Sequence, residues 1–600
     1  MRRVVPILVG LATAGLPSAA WAQSADDEEE SDEDADADAD ENEGAAKPVA
    51  PTEFKKQDLR GHAVEADKIS NPFQKDRFFV DKVDDEKTAD KTLIQGSLQW
   101  SNFVYRESSG SLGMDQGDAA SRFGRYFTDL RLQTDFRHIA GGRWDARIDV
   151  RGRLVTNPED RVLTPDAGSV DDTRIQSGFN GLNEAEVREA WIVRSGKRSD
   201  VFFGRQFVPD LGAIKIDGLR IDYAQSEKLT LLGFGGLYPL RGSRSITTDY
   251  PELQRNDQGR VAAASRLVAA GGFGAAYRTP NAHGALGGVA LVPLSERPRV
   301  YVTSNGYYRT GQTLDLYHYS IIDLIGSAGF ALTNLSAGAN YKPSQRLRLT
   351  ASFNRVDTET LNVHAGAFLK NPVVDDGGEP VASPTMGVTK VQNETFLQLK
   401  RISTNAARAS VSAGLGELQR FEITVASAFR YRPDLTLTTP DNTSSVALGA
   451  AKSIDVYGQI MDRRSLLELR TGIDVTKSFG VGSIAFQRSE WLTARLFAAR
   501  EIGAGKGEWE AEASYSTSVD RPGGSGCTGM VTSPANCFGT SKAKILGGGL
   551  NVYYRLRGNL FGLGSLAVSR MNLDRVEGMT VTADPAITSV TAFLRVAYRF

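Results

Sequence analysis

This sequence has few cysteines, few histidines and no second long apolar run. Two cysteines in 600 residues exclude a disulfide-rich scaffold. The five histidines are scattered, without the spacing of a metal site or of a catalytic pair. They are His62, His138, His283, His318 and His364. We therefore expect no metal, no cofactor and no enzymatic activity. Beyond the first 22 residues, no stretch approaches the roughly 20 apolar residues that a membrane-spanning helix needs.

Both cysteines lie in one segment rich in glycine, proline and serine, "PGGSGCTGMVTSPANCFG". In an exported protein this arrangement favours a local disulfide between Cys527 and Cys537 that pins a loop. A metal site would need more ligands than the segment supplies.

The N-terminus carries the pattern of an export signal. Two arginines precede an uncharged, mostly apolar run that ends near Leu16, and residues 20–22, Ala-Trp-Ala, fit a small-x-small cleavage site. The sequence therefore predicts a signal peptide over residues 1–22. A helical membrane anchor is the alternative, but this run is shorter than a span and ends in a processing site.

The formal net charge of −2 hides two parts of opposite sign. Thirteen aspartates and glutamates lie within residues 26–43, so the remainder of the chain is net basic. Residues 23–44 carry too little apolar surface to fold, and we expect them to be disordered. Residues 45–90 are still polar and are predicted to form a periplasmic N-terminal segment, with organised structure over 91–600. The acidic segment is either a solvated spacer, a binding site for a basic periplasmic partner, or a segment that loosely holds divalent cations.

The apolar pattern in residues 91–600 has a period of two, which indicates β-strands. In "WDARIDVRGRLV", residues 144–155, apolar or small residues alternate with charged ones, and residues 129–137 repeat the pattern. Such a charged face does not suit a protein core, but it can face water inside a barrel whose other face meets lipid. The pore-lining residues predicted for this hairpin are Asp129, Arg131, Asp135, Arg137, Asp145, Arg147, Asp149, Arg151 and Arg153.

A distant segment, "EWEAEASYSTSVD", shows the same alternation and places Glu508, Glu510 and Glu512 on the pore-lining face. Stripes of opposite sign across a lumen would orient polar solutes or select ions. The alternative is that aspartates and arginines on neighbouring strands simply neutralise each other.

The connections tend to alternate between short turns, such as "AGGR" and "TPNA", and long loops, such as residues 157–182, 357–392 and 573–587. This alternation is typical of an up-and-down transmembrane β-barrel. We predict an all-β antiparallel barrel of 22–24 strands, within a range of 18–26 and with an even number. A barrel of this width leaves a channel or holds a plug. The tryptophans predicted near strand ends, where aromatic girdles form, are Trp100, Trp144, Trp191 and Trp509.

The chain ends in "SVTAFLRVAYRF", with apolar residues at every second position back from Phe600. This segment resembles the C-terminal insertion signal of Gram-negative outer-membrane β-barrel proteins, with Val596, Tyr598 and Phe600 as its main positions. A barrel cannot leave an open strand edge in lipid, so its last strand must be paired with the first. The resemblance implies a location in the cell outer membrane.

Residues 201–223, "VFFGRQFVPDLGAIKIDGLRIDY", resemble the Gly-Arg-Gln strand, loop and Asp-Gly strand of large substrate-selective and polysaccharide-export porins. The resemblance implies that Arg205 and Gln206 lie on one strand and Arg220 and Asp222 on the next, near a constriction. By strict alternation, Arg205 would lie on the same strand face as Phe203 and Phe207, which is the apolar face. It therefore either faces the pore because a bulge at Gly204 shifts the alternation, or it stabilises a strand end.

These features predict an outer-membrane channel for diffusion of small hydrophilic or charged solutes. Its expected partners are outer-membrane lipid and, during biogenesis, the barrel assembly machinery, with no role for nucleic acid. The alternative is the barrel of a trans-envelope machine, for polysaccharide export or gliding motility, that acts through a periplasmic partner of residues 24–90. A TonB-dependent receptor is less favoured, because no segment long enough for a plug domain precedes the first predicted strand.

Overall fold

The structure, a computed structural model, describes residues 91–600 apart from several gaps. The gaps are residues 108–123, 156–183, 240–253, 256–260, 264–266, 280, 294–297, 312, 327–328, 358–402, 417–418, 434, 439–444, 449, 464–467, 482–487, 504–505, 522–539, 578–579 and 584–585. The predicted signal peptide (residues 1–22), residues 23–44, residues 45–90 and the predicted Cys527–Cys537 disulfide lie outside the described residues.

Twenty-two long strands form one closed antiparallel sheet. Each strand pairs with the next along the chain, and the last pairs with the first. The strands are β1 (Leu93–Glu107), β2 (Gly124–His138), β3 (Trp144–Val155), β4 (Glu184–Ser195), β5 (Ser199–Val208), β6 (Ile214–Ala224), β7 (Leu229–Leu237), β8 (Val268–Arg278), β9 (Ala282–Pro293), β10 (Arg299–Thr310), β11 (Leu314–Ile325), β12 (Ala331–Ser344), β13 (Leu347–Asp357), β14 (Ser403–Leu415), β15 (Phe421–Arg432), β16 (Ala451–Asp462), β17 (Arg470–Gly480), β18 (Arg488–Ile502), β19 (Gly507–Arg521), β20 (Thr540–Arg557), β21 (Leu560–Glu577) and β22 (Ile587–Arg599).

A few short elements accompany the barrel. Two small hairpins, Gln254–Arg255 with Val261–Ala263 and Leu435–Thr438 with Ser445–Leu448, pair outside it. A four-residue helix covers Ile139–Gly142, and a 3-10 turn covers Pro209–Leu211. In the described part of the chain, no helix is long and apolar enough to cross a membrane.

The predicted all-β barrel with an even number of strands is therefore confirmed, and the count is 22. One predicted boundary is wrong: residues 573–587 are not one loop. β21 continues to Glu577, and Thr580–Ala583 pairs back onto it. Residues beyond Leu573 stay in the strand because they pair with β20 on one side and with Thr580–Ala583 on the other.

Alternate side chains along each strand face opposite sides of the wall. On β3, Ile148 and Leu154 are 39% and 55% exposed, whereas Asp145 and Asp149 are 7% and 5% exposed. Exposed apolar side chains recur at such outward positions around the whole sheet. A closed sheet with an apolar exterior and charged interior positions is the arrangement of a transmembrane barrel.

Only two of the four tryptophans predicted to lie near strand ends, where an aromatic girdle would form, are found there. Trp144 and Trp509 lie near the first residues of β3 and β19, but Trp100 lies in the middle of β1. Trp191 pairs with Gly204 on β5 and packs edge-on against Phe202, with ring centroids 5.5 Å apart. Its side chain is inward because a register shift in β4, opposite Asp149 and Val150, changes which residues face the lumen.

The last strand closes the barrel through its final residue. Gly96 and Phe600 exchange two backbone hydrogen bonds of 2.9 and 3.0 Å. Val596 pairs with Trp100, and Tyr598 is an outward side chain that is 49% exposed. The apolar face that resembled an insertion signal is therefore the lipid-facing side of the closing strand.

Candidate functional site

The hairpin formed by β5 and β6 leaves the barrel wall and folds into the lumen. β5 pairs with β4 over Asp200–Arg205, and β6 pairs with β7 over Asp217–Ala224. Residues 206–208 and 214–216 pair with each other but, among the described residues, with neither neighbour in the wall, and a turn over residues 209–213 joins them. We call residues 206–216 the inward hairpin.

The hairpin bends away from the wall at Gly204. The φ angle of Gly204 is 123°, which is accessible to glycine and costly for other residues. Just past this bend, Arg205 makes two hydrogen bonds of 2.6 and 2.5 Å to the carboxylate of Asp217. Its Nη1 donates to the carbonyl oxygen of Val187 on β4 at 3.0 Å. Arg205 is buried, and it joins the base of the hairpin to the edge of β4 instead of lining water.

Arg220 and Asp222, predicted to line the pore, instead form a buried ion pair under the inward hairpin. Their hydrogen bonds are 2.8 and 2.7 Å long, and their side chains are 3% and 4% exposed. Arg220 also donates to the carbonyl oxygen of Phe207 at 3.3 Å and lies 4.9 Å from the ring centroid of Phe202. Gln206 donates to the carbonyl oxygen of Gly218 at 3.3 Å. These side chains are shielded from the lumen because the hairpin folds over them.

Three polar contacts fix the tip of the hairpin to the inner face of the neighbouring strands β8, β10 and β11. The carboxylate of Asp210 accepts a hydrogen bond of 2.9 Å from Arg278 at the end of β8. Asn305 on β10 donates to the carbonyl oxygen of Asp210 at 2.9 Å. Tyr319 on β11 donates to the carbonyl oxygen of Gly212 at 3.3 Å. The tip therefore reaches across β7 and lies against the inner face of β8–β11.

Leu211 fills a slot in that inner face and is fully buried. A Cβ atom on Gly274 would lie 2.6 Å from Leu211 Cδ2, and one on Gly287 would overlap the same atom. Glycine at these two positions makes room for the tip. The apolar cluster around it consists of Val208, Leu211, Ile214, Ile216, Leu232, Val268, Ala270, Ala276, Ala285, Val289, Leu291, Tyr301 and Ile321.

The predicted pore-lining residues of β2 and β3 lie on one inward face and are paired across strands. The pairs are Arg131–Asp149 at 2.7 Å, Arg153–Asp129 at 2.8 Å, Arg151–Glu186 at 2.7 Å, Arg147–Glu189 at 2.9 Å and Arg147–Asp135 at 3.7 Å. Asp145 accepts a hydrogen bond of 2.9 Å from the backbone N–H of His138. Arg137 lies two residues beyond Asp135 on the same face of β2.

The acidic residues of β19 are also paired. Arg470 on β17 lies 2.6 Å from Glu508 and 3.6 Å from Glu510. Arg495 on β18 donates to Asp474 at 2.8 Å and to Glu512 at 3.0 Å. The glutamates are therefore part of a network in which each carboxylate has a cation within reach.

Both stripes are mixed in sign and are not uniformly charged. Each carries arginines and carboxylates on adjacent strands, so neighbouring charges neutralise each other across strands instead of forming stripes of a single sign. Glu186, Glu189, Arg470, Asp474 and Arg495 complete the networks and were not among the predicted pore-lining residues. Their positions follow from the register between strands, which no single strand's pattern contains.

Hydroxyl pairs occupy further inward positions of the wall. Ser412–Thr424, Thr493–Ser516 and Ser569–Ser589 are 2.9, 2.8 and 2.7 Å apart, and Thr350 pairs with Ser410 in the same way. Cross-strand hydroxyl pairs satisfy each other and still leave lone pairs for water. The lumen wall thus has an apolar sector under the inward hairpin, on β7–β11, and a hydrophilic sector over β12–β22 and β1–β4.

No protein-family model matches this chain, and no curated protein matches it. Similar solved structures include OccAB4 of Acinetobacter baumannii, with a TM-score of 0.34, 8% identity and coverage of 85% of this chain and 100% of that chain. The siderophore receptor PirA from Acinetobacter baumannii has a TM-score of 0.42 and 8% identity, with coverage of 84% of this chain and 80% of that chain. A BenF-like porin from Pseudomonas fluorescens Pf-5 has a TM-score of 0.32 and 10% identity, with coverage of 84% of this chain and 99% of that chain. Because all three TM-scores are below 0.5, the fold assignment rests on this chain's own strand pairing.

Proposed function

We propose that this protein is a porin-like channel of the outer membrane that passes small hydrophilic or charged solutes. The observation that carries the proposal is the division of the lumen into two sectors. The inward hairpin covers the apolar sector, so the wall that remains in contact with water is formed by charge networks and hydroxyl pairs. Solutes would pass along this hydrophilic sector, beside the hairpin.

The inward hairpin supports a narrowed channel better than a sealed one. Barrels above about 16 strands leave a channel or hold a plug. Here the part of the lumen content that the structure describes is an 11-residue excursion, residues 206–216, held against one side of the wall. Such an element restricts the size of the solute and leaves the opposite wall accessible.

Because the networks contain both signs of charge, we expect the channel to discriminate weakly between cations and anions but to orient dipolar solutes strongly. Arginines and carboxylates that lie side by side create local fields across the pathway but only a small net charge. We therefore expect solutes that carry both polar and charged groups to pass more readily than simple apolar ones.

Arg470→Gln should make the channel more cation-selective. The substitution leaves Glu508 and Glu510 without their nearest cation, at 2.6 and 3.6 Å, so the wall gains net negative charge. The measurement is the reversal potential of single channels in a planar bilayer under a salt gradient.

Arg500→Gln is the matched control, because Arg500 faces outward on β18 while Arg495 and Arg470 face the lumen. We expect discrete conductance steps from all three proteins and an altered reversal potential from Arg470→Gln alone. A correctly folded protein that gives no conductance steps would refute the proposed function. Equal shifts in both variants would refute the assignment of Arg470 to the pathway.

A further inference from the structure

The outward face of the longest hairpin, β20–β21, changes from apolar to cationic within one or two outward positions on both strands. On β20, Leu556, Leu550 and Leu546 are exposed apolar side chains, and the next two outward residues are Lys544 and Lys542. On β21, Val568 is followed at the next outward position by Arg570, which pairs directly with Leu546. The apolar band therefore ends one outward position earlier on β21, after Val568, than on β20, after Leu546.

The length of this apolar stretch places the cations at the membrane surface. Leu546 and Leu556 are ten residues apart, which corresponds to about 34 Å along a strand and about 26 Å of height at a tilt of roughly 40°. That height matches the apolar band of about 25 Å expected for an outer-membrane barrel. Lys544 and Arg570 are thus the first outward residues beyond the hydrocarbon, at the end opposite the short turn that joins β20 to β21.

Among the described residues, these cations have no carboxylate partner, unlike the arginines of the lumen. The lumen networks pair arginines with acids at 2.6–3.0 Å in the closest contacts. In the part of the chain that the structure describes, Lys542, Lys544 and Arg570 make no ion pair. Asp574 is opposite Lys542 in the register, but the two do not form a salt bridge.

Three like charges on adjacent strands repel each other unless an anion lies between them. Lys542 and Lys544 are two residues apart on one strand, and Arg570 is a diagonal neighbour of Lys544 on the next, at about 7–8 Å. Long Lys and Arg side chains can converge over that distance. Thr517, directly opposite Lys544 on β19, and Asn572, opposite it on β21, add hydrogen-bonding groups on the same outward face.

We propose that Lys542, Lys544 and Arg570, the outer cationic patch, bind the phosphate groups of an outer-leaflet lipid headgroup. A phosphate monoester offers up to two negative charges and three acceptor oxygens, which suits three cationic donors. The acyl chains of the same lipid lie along Leu546 and Val568, directly below the patch. A lipid satisfies both requirements, because its charge is located immediately above its hydrocarbon.

The test is native mass spectrometry of the full chain in detergent, titrated with diphosphoryl lipid A, with lipid A from which both phosphates have been removed, and with inorganic phosphate. The variant carries Lys542→Gln, Lys544→Gln and Arg570→Gln. The matched control carries Arg194→Gln and Arg500→Gln, which are outward cations near the opposite rim. Unchanged single-channel conductance shows that each variant has folded.

We expect diphosphoryl lipid A to bind the triple variant about 100-fold more weakly than the wild type, if each cation contributes as basic residues do at anionic membranes. The control variant should bind as the wild type does. Equal binding by the triple variant would overturn the proposal, as would equally tight binding of dephosphorylated lipid A. Displacement of the lipid by a modest excess of inorganic phosphate would assign the patch to a free anion and overturn the choice of a lipid.

Discussion

Leu211→Asp should raise the single-channel conductance by about twofold or more, because it detaches the inward hairpin and enlarges the open cross-section of the pore. Leu211 is fully buried in a slot between β8 and β9. An ionised carboxylate placed there without a partner costs several kcal/mol. The two hydrogen bonds and the ion pair that hold the tip contribute about 1 kcal/mol each and cannot offset that penalty.

Substitutions of the wall residues that hold the tip should also detach the inward hairpin. Arg278→Ala combined with Asn305→Ala removes two of the three polar anchors of the tip, and we expect a noisier current with excursions to higher conductance. Leu211→Met keeps the volume of the buried side chain and serves as the control, with conductance near that of the wild type. If Leu211→Asp folds, as judged by heat-modifiable gel mobility, and conducts as Leu211→Met does, the hairpin does not restrict the pathway.

Ile148→Arg should severely reduce assembly into the membrane. Ile148 is an outward residue four positions from the start of β3, which places it about 10 Å above the Trp144 level at the usual rise and tilt. Arginine at such depth costs about 2–4 kcal/mol in an outer-membrane barrel. The measurement is the fraction of protein that acquires heat-modifiable mobility in the membrane fraction.

Arg151→Ala, three residues away on the opposite face, is the matched control. Arg151 pairs with Glu186, which is 3% exposed, so its loss leaves a carboxylate without its closest partner. Arg188 lies 3.9 Å from the same carboxylate and remains to compensate it. We therefore expect assembly to persist and ion preference to move towards cations. Equal assembly of Ile148→Arg and Arg151→Ala would contradict the assignment of faces.

The period of two, together with the alternation of short turns and long loops, was sufficient to predict a barrel and a range of 22–24 strands that includes the observed 22. On β3, Ile148 and Leu154 are exposed on the outer face, whereas Asp145 and Asp149 are buried on the inner face. This part is predictable because lipid on one side and water on the other impose the same rule on every strand.

The inward hairpin could not be predicted from the local pattern. Its tip contacts Arg278, Asn305 and Tyr319, which are 68, 95 and 107 residues away from their partners in the hairpin. A signal was nevertheless present in β8 and β9, "VAAGGFGAAYR" and "AHGALGGVALVP", which are apolar at inward and outward positions alike. A strand that faced water would alternate, so the loss of alternation there indicated an apolar cover on the inner face.

The charge networks were only half predictable, for a related reason. Arg131 and Asp149 could each be assigned to the inward face from its own strand, but their 2.7 Å contact depends on the register between β2 and β3. The net charge of a region of the lumen wall therefore depends on the residues of several neighbouring strands and on their register.

The most direct test of the channel is the accessibility of single cysteines on β2 and β3, introduced after Cys527 and Cys537 have been replaced by serine. A charged, membrane-impermeant thiol reagent should reduce the current through channels with cysteine at residues 131 and 151, which are inward. It should have no effect at residues 132 and 148, which are outward. An effect that alternates with a period of two is the predicted result. Block at the outward positions, or no block at any position, would contradict a conducting pathway along this wall.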